Sequence, residues 1–116
     1  MIEITYDRAN NSVRILGHAG AGEKGEDVVC AGVSALAQTL AANVRHWQAS
    51  GKLRKDADIS LSDGEGFISW EPKHGYEAAT RQVAVAICAG FELIAAELPQ
   101  YVSFRIGYLR NVSETK

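Results

Sequence analysis

Gly17-His18-Ala19-Gly20-Ala21-Gly22-Glu23-Lys24-Gly25-Glu26-Asp27-Val28-Val29-Cys30-Ala31-Gly32-Val33-Ser34 joins an alternating, strand-like segment to an amphipathic helical one. The reading places His18 at the end of a strand, a glycine-punctuated loop over residues 19–26, Asp27 as the residue that caps a helix, and Cys30 in that helix's first turn. The first amides of a helix lack intrahelical partners and carry partial positive charge, so a thiolate there meets backbone donors and a favourable dipole. Such a setting, or a neighbouring imidazolium, brings a cysteine pKa from about 8.5 into the range ~3.5–7.5. Ser34 follows Cys30 by four residues and shares its helical face.

Working outward, Ile2, Ile4 and Tyr6 alternate with polar residues. Val13 and Ile15 resume the alternation after the turn-forming Asn10-Asn11-Ser12, which predicts an antiparallel hairpin. Beyond the loop, Val29, Val33, Leu36, Leu40, Val44 and Trp47 recur at steps of three and four and predict one long helix ending near Ser50-Gly51. Ile59 and Leu61 open another strand, Asp63-Gly64-Glu65-Gly66 turns the chain, and Phe67-Ile68-Ser69-Trp70 returns it. A second helix carries Val83, Ile87, Phe91, Ile94 and Leu98 on one stripe and closes at Pro99. Val102, Phe104, Ile106 and Tyr108 form a last strand. The expected class is α+β: two layers, a largely antiparallel sheet with two helices on one face, in the order β-β-α-β-β-α-β. One domain spans residues 1–110, and residues 111–116 form a polar tail.

With 116 residues, the chain can bury roughly two-thirds of its unfolded surface in one core. A net charge of −2 argues against a broad basic footprint for nucleic acid. No basic and apolar leader opens the sequence and no apolar run is read as a membrane span, so the expected location is the cytoplasm, with no membrane partner. Two cysteines without a secretory signal read as thiols.

Cysteine proteolysis needs a thiolate, an imidazole that pairs with it and protonates the leaving amine, and donors for the oxyanion. His18, Cys30 and the amides near Cys30 are the candidates. Asp27 caps the helix and has a second reading as the group that orients His18. Ser34 either positions Cys30 or substrate, or simply packs. Gly17, Gly20, Gly22 and Gly25 make the loop costly to order, which predicts that it is disordered or obstructs the cleft until substrate orders it. Cys88 reads as a small core residue, Trp47 as core, and His46 as surface. His18, Cys30, His46, His74 and Cys88 lack metal-ligand spacing, so no metal and no cofactor is expected. A redox thiol and a non-enzymatic binding module that uses the two-layer α/β face are the competing readings.

Gly17-His18-Ala19, the glycine-rich loop, and Gly25-x-Asp27-x-Val29-Cys30-Ala31-x-Val33-Ser34 resemble the signature of the ribosomal-processing cysteine protease family, Prp or YsxB-like. The order of elements and Gly90 followed by Leu98-Pro99-Gln100-Tyr101 extend the resemblance over essentially the whole chain. Gly32 departs from it, standing where relatives tend to carry a small residue with a β-carbon. The resemblance implies a dimeric cysteine endopeptidase with His18 and Cys30 as catalytic residues and Asp27 and Ser34 in support. It also implies, as peptide substrate, the N-terminal extension of large-subunit ribosomal protein twenty-seven.

Overall fold

The structure, a computed structural model, describes residues 1–19 and 23–109, with the backbone alone for residues 23–27. Gly20, Gly22 and the C-terminal tail of residues 111–116 therefore lie outside the described residues. The elements run β1 (Ile2–Asp7), β2 (Ser12–Leu16), α1 (Glu23–Ala49), β3 (Asp58–Ser62), β4 (Glu65–Ser69), α2 (Glu77–Glu97) and β5 (Val102–Ile106). The five strands form one sheet in the order β3-β4-β2-β1-β5, antiparallel throughout except that β5 runs parallel to β1.

Register puts the apolar side chains on one face. Ile4 stands opposite Ile15 and Phe104, Tyr6 opposite Val13, Val13 opposite Ile68, and Ile2 opposite Val102. These residues share a core with Val29, Val33, Leu40, Val44 and Trp47 of α1 and with Ala84, Cys88 and Phe91 of α2, so both helices cover that face. Each fully buried aliphatic chain there stabilises the fold by roughly 1.5–3 kcal/mol. The α1 stripe read from the sequence is the buried one. Its end is a Schellman cap: Gly51 has φ +75°, its N–H donates to Gln48, and the Lys52 N–H donates to Trp47.

Three expectations change. First, α1 begins at Glu23, so Asp27 lies inside the helix instead of capping it, and Gly25 belongs to the helix and not to a loop. Glu23, Lys24 and Glu26 are good helix formers, and acidic residues suit a helix N-terminus, which outweighs the roughly 1 kcal/mol cost of one glycine. Second, the β3–β4 turn is only Asp63-Gly64, because Gly64 takes φ +77° and Glu65 and Gly66 already pair with Ser62 and Leu61. Third, the buried line of α2 is Thr80, Ala84, Cys88 and Phe91, with Val83, Ile87 and Ile94 flanking it half-buried. Close approach of the helices selects the small residues. A β-carbon at Gly90 would lie 2.8 Å from Leu36 Cδ2 of α1.

Beyond β5 the chain stays beside β1. The Gly107 N–H donates to the Tyr6 carbonyl at 3.0 Å, and the Leu109 N–H to Asp7 Oδ2 at 2.9 Å. By length and composition alone, Val28–Ala49 of α1 and all of α2 are apolar enough to cross a membrane, a test that the core helices of a soluble protein also pass. On α2 the apolar character extends to the outward side, where Val85, Ala86, Ala89 and Leu93 are exposed.

Candidate active site

The strand β2 delivers His18, and the residue before it sets the direction. Gly17 has φ +97°, a conformation that L side chains rarely adopt, and a β-carbon there would strike the Met1 carbonyl oxygen. Its N–H donates to the Gly64 carbonyl at 2.8 Å. Gly17, read from the sequence as part of a mobile loop, is thus bonded to the β3–β4 turn and lies close against the Met1 carbonyl. The His18 imidazole is half exposed and rests on that turn: Nδ1 is 3.9 Å from Asp63 Oδ1, and a β-carbon at Gly64 would come within 2.7 Å of Nε2.

The helix α1 delivers Cys30, half-buried and about two turns from the helix start. Cys30, Ser34 and Gln38 recur every four residues and line one cleft of about 430 Å³, together with Gly17, His18 and the turn residues Asp63 and Gly64. Ile2, Ile15, Val33 and Leu61 make its apolar side, and Ser62 and Glu65 add to its polar rim. His18, Cys30 and Ser34 therefore meet in one place, though they come from a strand end and a helix. Of Asp27 only the backbone is described. Among the described residues, no group of three His, Cys, Asp or Glu side chains gathers where a metal ion could sit.

The earlier start of α1 revises the source of oxyanion donors. Amides beyond the first helical turn are bonded within the helix, so those around Cys30 are not spare. Among the described residues, the Ser34 hydroxyl, one turn on along the same helical face and lining the same cleft, is a candidate donor. Gln38 was missed in the sequence although its spacing from Cys30 is the helical one. Asp63 and Gly64 were read as turn residues only, and no local signal brings a turn some 45 positions away to His18.

Cys88 is in a different environment. It is buried against the sheet, and desolvation pushes its thiol up to about 12. Only a neutral, packed sulfur fits there, as the core reading expects.

A half-buried thiol and an imidazole brought to one cleft of an α+β domain are the equipment of a cysteine hydrolase. The model of the family described as cysteine protease Prp matches residues 1–103, and the chain belongs to that family. It is a cysteine protease. Solved structures share the fold. SMU.848 of Streptococcus mutans is 24% identical with a TM-score of 0.63, over 90% of each chain. The essential ribosomal processing protease Prp of Staphylococcus aureus is 24% identical in complex with a covalently linked product peptide, with a TM-score of 0.63 over 91% of this chain and 97% of that one. With a substrate peptide it is 23% identical, with a TM-score of 0.62 over the same shares. No curated protein matches the chain.

Proposed function

We propose that this protease removes the N-terminal extension of large-subunit ribosomal protein twenty-seven, with Cys30 as nucleophile and His18 as acid and base. The observation that carries the reading is the single cleft lined by both residues. The Cys30 thiolate attacks the scissile carbonyl, and the tetrahedral intermediate collapses to a thioester as His18 protonates the leaving amine. Water, deprotonated by His18, then hydrolyses the thioester and frees the thiol. The Ser34 hydroxyl, on the same stripe, donates to the oxyanion. Gln38 holds the backbone of an extended peptide along α1. The relative's covalently linked product peptide supports a covalent route, and its description as a ribosomal processing enzyme supports the substrate class.

The same reading makes residues 1–110 one catalytic domain acting in the cytoplasm as a homodimer. The exposed apolar side of α2, with Val85 42% and Leu93 62% accessible, supports a second copy as its cover. The deciding experiment mixes the purified protein with the extended ribosomal protein and reads the masses of the products. One cut near the N-terminus, lost in Cys30→Ala, is the expected result. An intact substrate in the presence of folded protein would refute the assignment.

A further inference from the structure

Among the described residues, the carboxylate that stands beside His18 is Asp63, from the turn between β3 and β4. We propose that this two-residue turn is a third component of the active site: Asp63 is a positioning residue that holds the imidazole through Nδ1, and Gly64 keeps the space beside Nε2 open. The proposal rests on the assignment of His18 as the acid–base group.

Three observations converge on the turn. The Gly17 N–H bond to the Gly64 carbonyl anchors the backbone next to His18. Asp63 Oδ1 lies 3.9 Å from Nδ1, longer than a hydrogen bond, and catalytic contacts that are long in a free enzyme tighten when substrate binds. The space that a β-carbon at position 64 would fill begins 2.7 Å from Nε2 and 3.2 Å from Cε1, so any residue but glycine displaces the ring. An imidazole can serve as base only through an unprotonated nitrogen, and the group that accepts from one nitrogen selects the other for the reaction. A carboxylate at Nδ1 keeps the proton there and leaves Nε2 as the nitrogen able to accept one. Asp63 is almost fully exposed, so its hold is weak in energy and screened by salt; what it contributes is ring orientation.

The test uses the full chain and four variants. Asp63→Asn should lower kcat about fivefold with KM within about twofold, and the deficit should shrink in about 1 M salt as the lost charge ceases to matter. Asp63→Glu should recover most of the loss. Gly64→Ala should lower kcat more than about tenfold, because the added methyl meets the ring. Gly51→Ala is the control: Gly51 has φ +75° with nothing within 4 Å of a built β-carbon, so it carries similar backbone strain and no collision, and its kcat should stay near wild type.

Nitrogen-15 spectra of His18 in the resting protein should show the Nδ1-protonated tautomer depleted in Asp63→Asn. Those spectra need no turnover, so they separate failure of this proposal from failure of the proteolytic assignment. Unchanged kcat and unchanged tautomer in Asp63→Asn would overturn the role of Asp63. Equal losses in Gly64→Ala and Gly51→Ala would overturn that of Gly64.

Discussion

The amide of Gly17 donates to the carbonyl of Gly64 at 2.8 Å, and this bond ties the end of β2, where His18 stands, to the turn between β3 and β4. A glycine is required on both sides, by positive φ and by what a β-carbon would meet. Gly17→Ala should therefore lose about 2 kcal/mol or more of stability, since left-handed strain costs roughly 1–2 kcal/mol and the Met1 carbonyl must also give way. Turnover at a temperature where the variant is still folded should fall as well. A variant with wild-type thermal midpoint and rate would show that the position tolerates a side chain.

Cys30→Ala and His18→Ala should each reduce kcat at least about a thousandfold, since members of a catalytic unit fail together. Neither side chain is fully buried, so thermal unfolding should barely change. Cys88→Ala should keep most of the rate. If Cys88→Ala and Cys30→Ala were equally inactive while folded, the nucleophile would be misassigned.

On the Cys30 stripe, Ser34→Ala should lower kcat about tenfold to a hundredfold with little change in KM, the mark of a donor that acts on the transition state. Gln38→Ala should instead raise KM for long peptides and leave kcat nearly alone. Steady-state kinetics on the cognate peptide distinguishes the two; a pure KM effect at Ser34 would remove it from oxyanion stabilisation.

Burial at Cys88 predicts an alkaline weakness. Desolvation pushes its folded pKa up to about 12, above the ordinary thiol value of 9.0, so the neutral thiol contributes stability that is complete below about pH 9. That contribution declines as the pH rises through 9 toward 12, where the unfolded chain gains a thiolate that the fold cannot hold. Denaturation of wild type and Cys88→Ala from pH 8 to 11 isolates the effect. Parallel curves would refute it. In the native protein, iodoacetamide should label Cys30 and spare Cys88, as peptide mapping would show.

Two buried polar groups on β1 should behave oppositely. The Tyr6 hydroxyl is buried with no hydrogen-bond partner among the described residues, so Tyr6→Phe should be neutral or slightly stabilising. Asp7 accepts from the Asn10 backbone N–H, the Asn10 side-chain amide and the Leu109 N–H, and Asp7→Ala should cost about 2 kcal/mol. Burial pushes the Asp7 carboxyl up, but those donors outweigh it and hold the pKa below the ordinary value. Its stabilising effect is therefore present above about pH 4 and is lost as the pH falls through the lowered folded pKa. Chemical denaturation between pH 2 and 6 would check this, and an Asp7→Ala variant with wild-type acid sensitivity would contradict it.

Periodicity made the sheet and helices legible. The alternation of Ile2, Ile4 and Tyr6 and the steps from Val29 to Trp47 depend on which side of one element faces the core, and neighbours in sequence settle that. The start of α1 was not legible, because Gly25 and Asp27 carry the signals of a loop and a cap while Glu23, Lys24 and Glu26 favour continuing the helix. Nor was the buried line of α2: helices that approach as closely as Gly90 and Leu36 select small side chains over large ones, and sequence patterns weigh them the other way.

For the site, the sequence by itself determined the chemistry on offer: a histidine at a strand end, a cysteine on a helix with Ser34 on its face, and a second cysteine among alanines. Only the tertiary structure decided what His18 rests on. The antiparallel pairing of β2 with β4 brings Leu16 opposite Glu65, so the turn that precedes Glu65 must arrive beside Gly17 and His18. That contact follows from register between strands some fifty residues apart, a property of pairing that no local pattern encodes.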